Sequence, residues 1–280
     1  IANCYFFSIF TAMTTRQQFF YAISMWSKSW GFIFKNKLAH YFIYPLVVAI
    51  ILNFVAFQFI DDLVDLAKGF IQGWVGVPQE GHAFDSLSEF FTHLAVSVTS
   101  VLAWIAGVVI FWKVSKYITL AIMSPVMSLL AVRTEEIITG VSSPFEFGQL
   151  FKDIIRGVAL SLRNLFMELT LNAGLFVVNI VVAIVFAPLD IILSPLSFVI
   201  SLGISAYYSG FSTIDYALEN RRYSFNQSIA FMRKNKGLAI GNGLMYSLLY
   251  RIPILGVAIC TITSTVSGTM IVCEEKYNKI

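Results

Sequence analysis

The 280-residue chain is 58% hydrophobic, only 12% charged and carries a formal charge of +3. Soluble domains average roughly 45–50% apolar and about 25% charged residues. No single core of a water-soluble domain this long could hide so much apolar surface, which excludes an ordinary soluble fold and makes lipid the solvent.

Residues 1–12 are apolar and uncharged and lack the basic n-region of a signal peptide. Met13-Thr14-Thr15-Arg16 reads as a natural start, so residues 1–12 are expected to be a non-native extension and 13–280 a single transmembrane domain. Phe19–Phe34 is aromatic and amphipathic, an interfacial helix with Trp26 and Trp30 expected at headgroup level. Tyr41–Ile60 is apolar for the roughly 20 residues that a bilayer crossing requires. A polar, acidic loop is expected over Asp61–Thr92, then a second span over His93–Met123. Ser124–Gln149, with two Ser-Pro pairs, reads as a soluble connector, and Leu150–Arg163 as an amphipathic lead-in. Asn164–Ala187 and Ile191–Phe211 form one apolar hairpin whose tip is Pro188-Leu189-Asp190. Ser212–Lys236 is polar and basic. Leu238–Cys273 is a second apolar hairpin, broken at Arg251-Ile252-Pro253, with arms short for full spans. The expected fold is an all-α membrane protein with two long transmembrane helices and two partly inserted helical hairpins.

Charge placement orients these segments. With both ends and the connectors at 113–163 and 212–236 on one side, 17 of the 19 Lys and Arg lie there, leaving only Lys68 and Arg251 elsewhere. The positive-inside rule makes that side cytoplasmic. The basic clusters flank membrane segments, so nucleic-acid binding is not expected. No phosphate loop, nucleophile elbow or paired-carboxylate site occurs, and no enzyme is expected. Cys4, Cys260 and Cys273 and the three histidines lack metal-ligand spacing, so neither a metal nor a cofactor is expected.

Some charges invite two readings. Arg156 and Arg163 precede the first hairpin and are either a cationic vestibule that gathers anions or headgroup contacts that set topology. Asp190 and Arg251 lie at the hairpin tips, where an isolated charge is expensive. They are expected either to meet or line a pore, or to reach headgroups. Gly237 and Gly241, four apart, suit close helix packing.

The block Asp215-Tyr216-Ala217-Leu218-Glu219-Asn220-Arg221-Arg222-Tyr223-Ser224-Phe225 precedes a basic turn, glycines at 237, 241 and 243, and an Ile252-Pro253 break. With Ser124-Pro125-Val126-Met127-Ser128-Leu129-Leu130-Ala131 running on to Glu135-Glu136, it resembles the CysZ sulfate-permease family, which shares a domain with etoposide-induced membrane proteins. The resemblance covers about residues 19–275. It implies two long spanning helices, two partly inserted hairpins, homo-oligomers and sulfate uptake. It also implies a structural role for Pro125, Asp215, Tyr216, Glu219, Asn220, Arg221, Gly237, Gly241 and Pro253. In sulfate-binding members a Gly-Leu-Arg stretch before the first span meets the anion; here that stretch is Lys37-Leu38-Ala39, followed by His40. Positive charge for an anion would come from Lys35, Lys37 and a protonated His40. The functional expectation is a permease for sulfate or a similar small oxyanion, with a non-transporting scaffold or accessory subunit as the alternative.

Overall fold

A computed structural model describes residues 13–75, 85–141 and 147–277. Helices account for nearly all of them, and no strand occurs among them. The chain divides into two compact units, one from Ile1–Ala49 with Tyr117–Ile280 and the other from Ile50–Lys116.

Helix α1, Thr15–Lys35, opens on a capping box. The Thr14 hydroxyl accepts from the Gln17 backbone N–H and the Gln17 side chain accepts from that of Thr14. Gln18, Ala22, Met25, Trp26, Ser29 and Ile33 recur at helical spacing and are buried. Trp26 is therefore buried within the protein, and the half-buried Trp30 packs edge-on against it at 5.9 Å. The helix ends where Asn36 caps it and Lys37 turns into the left-handed region at φ +56°. A 3-10 turn, Leu38–Phe42, leads into α2, Ile43–Val75.

The second unit holds most of α2 and of α3, Asp85–Ile122. These helices run 33 and 38 residues, well beyond the roughly 20 that cross a bilayer. The expected polar loop is thus helical over Asp61–Val75 and from Asp85 onward, a correction with a simple cause. Asp, Glu and Gln do not break a helix once nucleated, so hydrogen bonding propagates past the apolar boundary. The remaining loop residues, 76–84, lie outside the described set.

The first unit contains the rest. The expected soluble connector is mostly helix α4, Ser124–Thr139, with Pro125 in its first turn and Gly140 at φ +67° closing it. Met127, Leu130, Ala131 and Thr134 bury one face, the first three in a cluster with Ile262 and Val266. The pattern i, i+3, i+4, i+7 makes this a core helix, and proline at the first turn starts it.

Helices α5, Phe147–Val185, and α6, Ala187–Asn220, form a long hairpin. Its turn falls at Phe186, one helical turn before the expected tip, because Pro188 is well placed inside the first turn of α6. Ser197 donates to Asn179 Oδ1 at 3.0 Å, and Ser201 donates to Asn172, tying the arms together. Beyond them Phe176, Val177, Ile184, Val185, Phe186 and Ile191 are exposed, a surface suited to acyl chains.

The chain then makes a Schellman turn: Tyr223 N–H bonds to Leu218 O at 3.1 Å and Arg222 N–H to Glu219 O at 2.8 Å, with Arg222 at φ +62°. Ser224 and Gln227 form a capping box that starts α7, Phe225–Lys234. Helix α8, Lys236–Leu249, packs between α1 and α6. A Cβ on Gly237 or Gly241 would strike the α1 carbonyls of Thr15 and Phe19, and one on Gly243 would strike that of Ala206 on α6. Tyr250–Ile254 turns the chain, with Ile254 strained at φ +61° after Pro253. Helix α9, Leu255–Tyr277, then runs through the interior. Among the described residues four segments are long and apolar enough to cross a membrane: Leu38–Val55, Ser97–Ile122, Ile155–Val185 and Leu255–Cys273. Helix α8, about 21 Å long at 14 residues, is too short to do so.

Candidate functional site

The Asp215–Phe225 block is a helix end built around a buried charge network. Asp215 and Glu219 stand one turn apart on α6, and α5 delivers Arg156 to both. Arg156 Nη2 donates to Asp215 Oδ1 at 3.0 Å and to Ser228 Oγ of α7 at 2.8 Å, while Nη1 lies 3.9 Å from Glu219 Oε1. One guanidinium thus joins three helices. Burial pushes the Asp215 carboxyl above its ordinary range, and the Arg156 guanidinium and the Ser228 hydroxyl pull it back only in part. Tyr216 donates to the Leu120 carbonyl at 2.9 Å, and burial raises its phenol strongly. Arg221 donates from Nε to Glu135 at 3.3 Å and from Nη2 to Cys273 Sγ at 3.5 Å, which fastens α6 to α4 and α9. Asn220 is the last residue of α6.

Arg163, two turns along α5 from Arg156, donates to Asn164 Oδ1 at 2.8 Å and lies over the Phe211 ring at 5.4 Å. Asn164 in turn donates to Ser212 Oγ at 2.9 Å. Deeper on α5, the buried Glu168 accepts from Tyr117 Oη at 2.6 Å. Lys35, Lys37 and His40 are all exposed around the turn between α1 and α2, so they and the α5 arginines are presented by different elements. His40 Nδ1 lies 3.0 Å from the Lys37 carbonyl, which places its proton on Nδ1. Arg251 is exposed at the α8–α9 turn with its guanidinium 5.3 Å from the Phe198 ring centre. Asp190 is in the first turn of α6, and its side chain lies outside the described residues.

The sequence marks Arg156 and Asp215 separately but not their junction, and it does not mark Ser228. The readable signal was the Ser224-Phe225-Asn226-Gln227 capping box, which fixes α7 and sets Ser228 on its first turn. Among the described residues no group of histidine, cysteine and carboxylate side chains is arranged to hold a metal.

Residues 25–260 match the family described as Sulfate transporter CysZ/Etoposide-induced protein 2.4. The chain belongs to that family. A protein of Vibrio parahaemolyticus named Sulfate transporter CysZ is 26% identical over 246 residues, covering 87% of this chain and 90% of that protein. One of the same name from Pseudomonas fluorescens is 25% identical over 138 residues, covering 49% of this chain and 52% of that protein. The match to the CysZ family contains the whole Arg156–Asp215–Ser228 network and both glycines facing α1. The chain is thus a multi-pass membrane protein of a family whose named members transport sulfate.

Proposed function

We propose that the protein is a permease for sulfate or a similar small oxyanion in the bacterial inner membrane, with both termini cytoplasmic, working as a homo-oligomer. The reading is carried by the match to relatives named as sulfate transporters, of which one is aligned along 90% of its own length. Local geometry supports it at the stretch corresponding to Gly-Leu-Arg. Lys37 holds φ +56°, the conformation glycine takes freely, so the turn implied by the family's glycine exists here with a lysine in it. Lys35 and Lys37 supply positive charge there, beside His40, as separate point charges in place of a guanidinium fork. Passage through the protein, and not catalysis, is the activity this composition serves.

The test is flux of radiolabelled sulfate into proteoliposomes. Uptake above that of empty liposomes, reduced by the double change Lys37→Ala with His40→Ala, is the expected result. Uptake equal to empty liposomes would end the reading. For orientation, cysteines replacing Asp85 and Asn226 are expected to label from opposite sides.

One observation favours the scaffold alternative for a part of the molecule: Arg156, read from the sequence either as part of a vestibule or as a headgroup contact, is occupied by Asp215, Glu219 and Ser228. An Arg156→Met variant that loses stability and flux in equal proportion would place that residue in the framework.

A further inference from the structure

We propose that Arg251, held over the Phe198 ring on the surface of the first unit, binds the phosphate of a phospholipid headgroup. That phosphate is drawn below the level at which the neighbouring hairpin ends. The inference rests on the multi-pass membrane class of the chain and is independent of which ion the protein carries.

Depth is the first observation. Helix α8 runs along α6 in the opposite direction: a Cβ on Gly210 would strike the Ala239 carbonyl, and one on Gly243 that of Ala206. At 14 residues, about 21 Å, α8 stops part-way along its neighbour. The turn that follows, Tyr250–Ile254, sets the Arg251 guanidinium 5.3 Å from the Phe198 ring centre. Phe198 stands 11 residues, about 16 Å, from Ala187 at the start of α6. Over that distance the end of α5 and the start of α6 bear Ile184, Val185, Phe186, Leu189 and Ile191, all exposed. Such bare apolar helix belongs in hydrocarbon, so Arg251 lies inside the bilayer boundary by more than one arginine side chain spans.

The second observation is how the side chain is presented. Tyr250 turns inward, stacked on Tyr246 at 5.8 Å and buried with Val257 and Cys260. Arg251 and Ile252 turn outward and are exposed. Leu248 and Leu255, three residues before and four after Arg251, are exposed as well, and so is Phe198. The guanidinium is thus framed by apolar side chains on a surface that meets acyl chains. Among the described residues Arg251 has no ion pair and no side-chain hydrogen bond. Asp190 stands eight residues, about 12 Å, further along α6.

An exposed charge at that depth is expensive, and thinning of the local bilayer, which brings a headgroup within reach, removes the cost. Phosphate is the complement the geometry asks for. A guanidinium offers a fork of N–H donors that matches two phosphate oxygens, and its flat face is already engaged by Phe198. The apolar frame of Leu248, Ile252 and Leu255 suits the acyl chains of the same lipid. The short α8–α9 hairpin therefore carries a thinned patch of bilayer beside the long α5–α6 hairpin.

The experiment titrates dioleoyl phosphatidylglycerol onto the purified full-length chain in neutral detergent and counts bound lipid by native mass spectrometry. Dioleoylglycerol, which lacks the phosphate, is the second probe. Arg251→Gln is expected to raise Kd for phosphatidylglycerol about tenfold. Arg251→Lys and Phe198→Ala are each expected to raise it about threefold, since one loses the fork and the other its support. Dioleoylglycerol binding should be weak and the same in all four proteins. Arg251 is exposed, so its variants are expected to fold, and Arg251→Lys keeps the charge should Arg251→Gln misfold. Phosphatidylglycerol binding indifferent to both Arg251 variants would overturn the proposal, as an internal pair with Asp190 would predict. Equal losses of both lipids would overturn phosphate recognition. Sulfate that displaces the lipid from wild type but not from Arg251→Lys would assign the site to the free ion and overturn it too.

Discussion

Helices α5 and α9 pass the same test of length and apolarity, yet the protein uses them in opposite ways. In α5 only 6% of the most apolar 18-residue stretch within Ile155–Val185 is buried, whereas in α9 83% of the corresponding stretch within Leu255–Cys273 is. The exposed face of α5 is made of large side chains such as Phe166, Phe176, Val177, Val181 and Ile184. The interior of α9 is made of small hydroxylated ones: Thr261, Thr263, Ser264, Thr265, Ser267 and Thr269 are all fully buried. Among acyl chains, a Leu or Phe gains nothing by turning inward, because lipid is as apolar as protein. Small residues gain by close packing and by bonding their hydroxyls, as Thr261, Thr265 and Thr269 do to the carbonyls four residues earlier. Residue size thus decides which helix faces lipid, where hydropathy cannot.

The sharpest way to break this contrast is to add bulk where helices touch. Gly243→Val is expected to remove at least about 3 kcal/mol, because its side chain would enter the Ala206 carbonyl of α6. Gly174→Ala on α5, where nothing lies within 4 Å, should leave the unfolding midpoint unchanged. Equal effects of the two would remove the distinction between packed and lipid-facing helices.

The next effect concerns the charge that pins α5 to α6 and α7. Arg156→Met should cost about 3 kcal/mol, since it removes the cation held beside two buried carboxylates. The pH dependence has a definite sign. The folded-state pKa of Asp215 lies above its unfolded value, so its contribution is whole below about pH 4. It is lost as pH rises through the folded value. Thermal midpoints of wild type should therefore fall more with rising pH than those of Asp215→Asn. Arg156→Met, which removes the opposing cation, should steepen the fall. A steeper dependence in Asp215→Asn than in wild type would contradict this balance.

Smaller effects sharpen the picture. Lys37→Gly should add about 1 kcal/mol by relieving a left-handed lysine, read as a raised unfolding midpoint. In the same variant sulfate flux should fall, which separates the turn's conformation from its charge. Phe176→Ala, on the exposed face of α5, should change stability by less than about 0.5 kcal/mol in lipid.

The membrane class and the order of segments were legible because long apolar runs have no other solution. Boundaries were less so. Asp61–Val75 read as loop because acids usually mark water, but a helix leaving the bilayer keeps its hydrogen bonds while its side chains become polar. Ser124–Thr139 read as connector because two Ser-Pro pairs suggested breaks, although proline in a first turn begins a helix. The charges of the Asp215–Phe225 block could be named from sequence but not paired, since Arg156 approaches from 59 residues away.

Sequence alone determined that this chain lives in a bilayer and that it is helical. It also placed the break at Pro253, because transfer energies and backbone conformations are local properties. Only the tertiary structure decided which apolar helix is sheltered and which is bare, and which carboxylates Arg156 meets. Those outcomes depend on what lies across a few ångströms of space, and residues distant in the chain supply it.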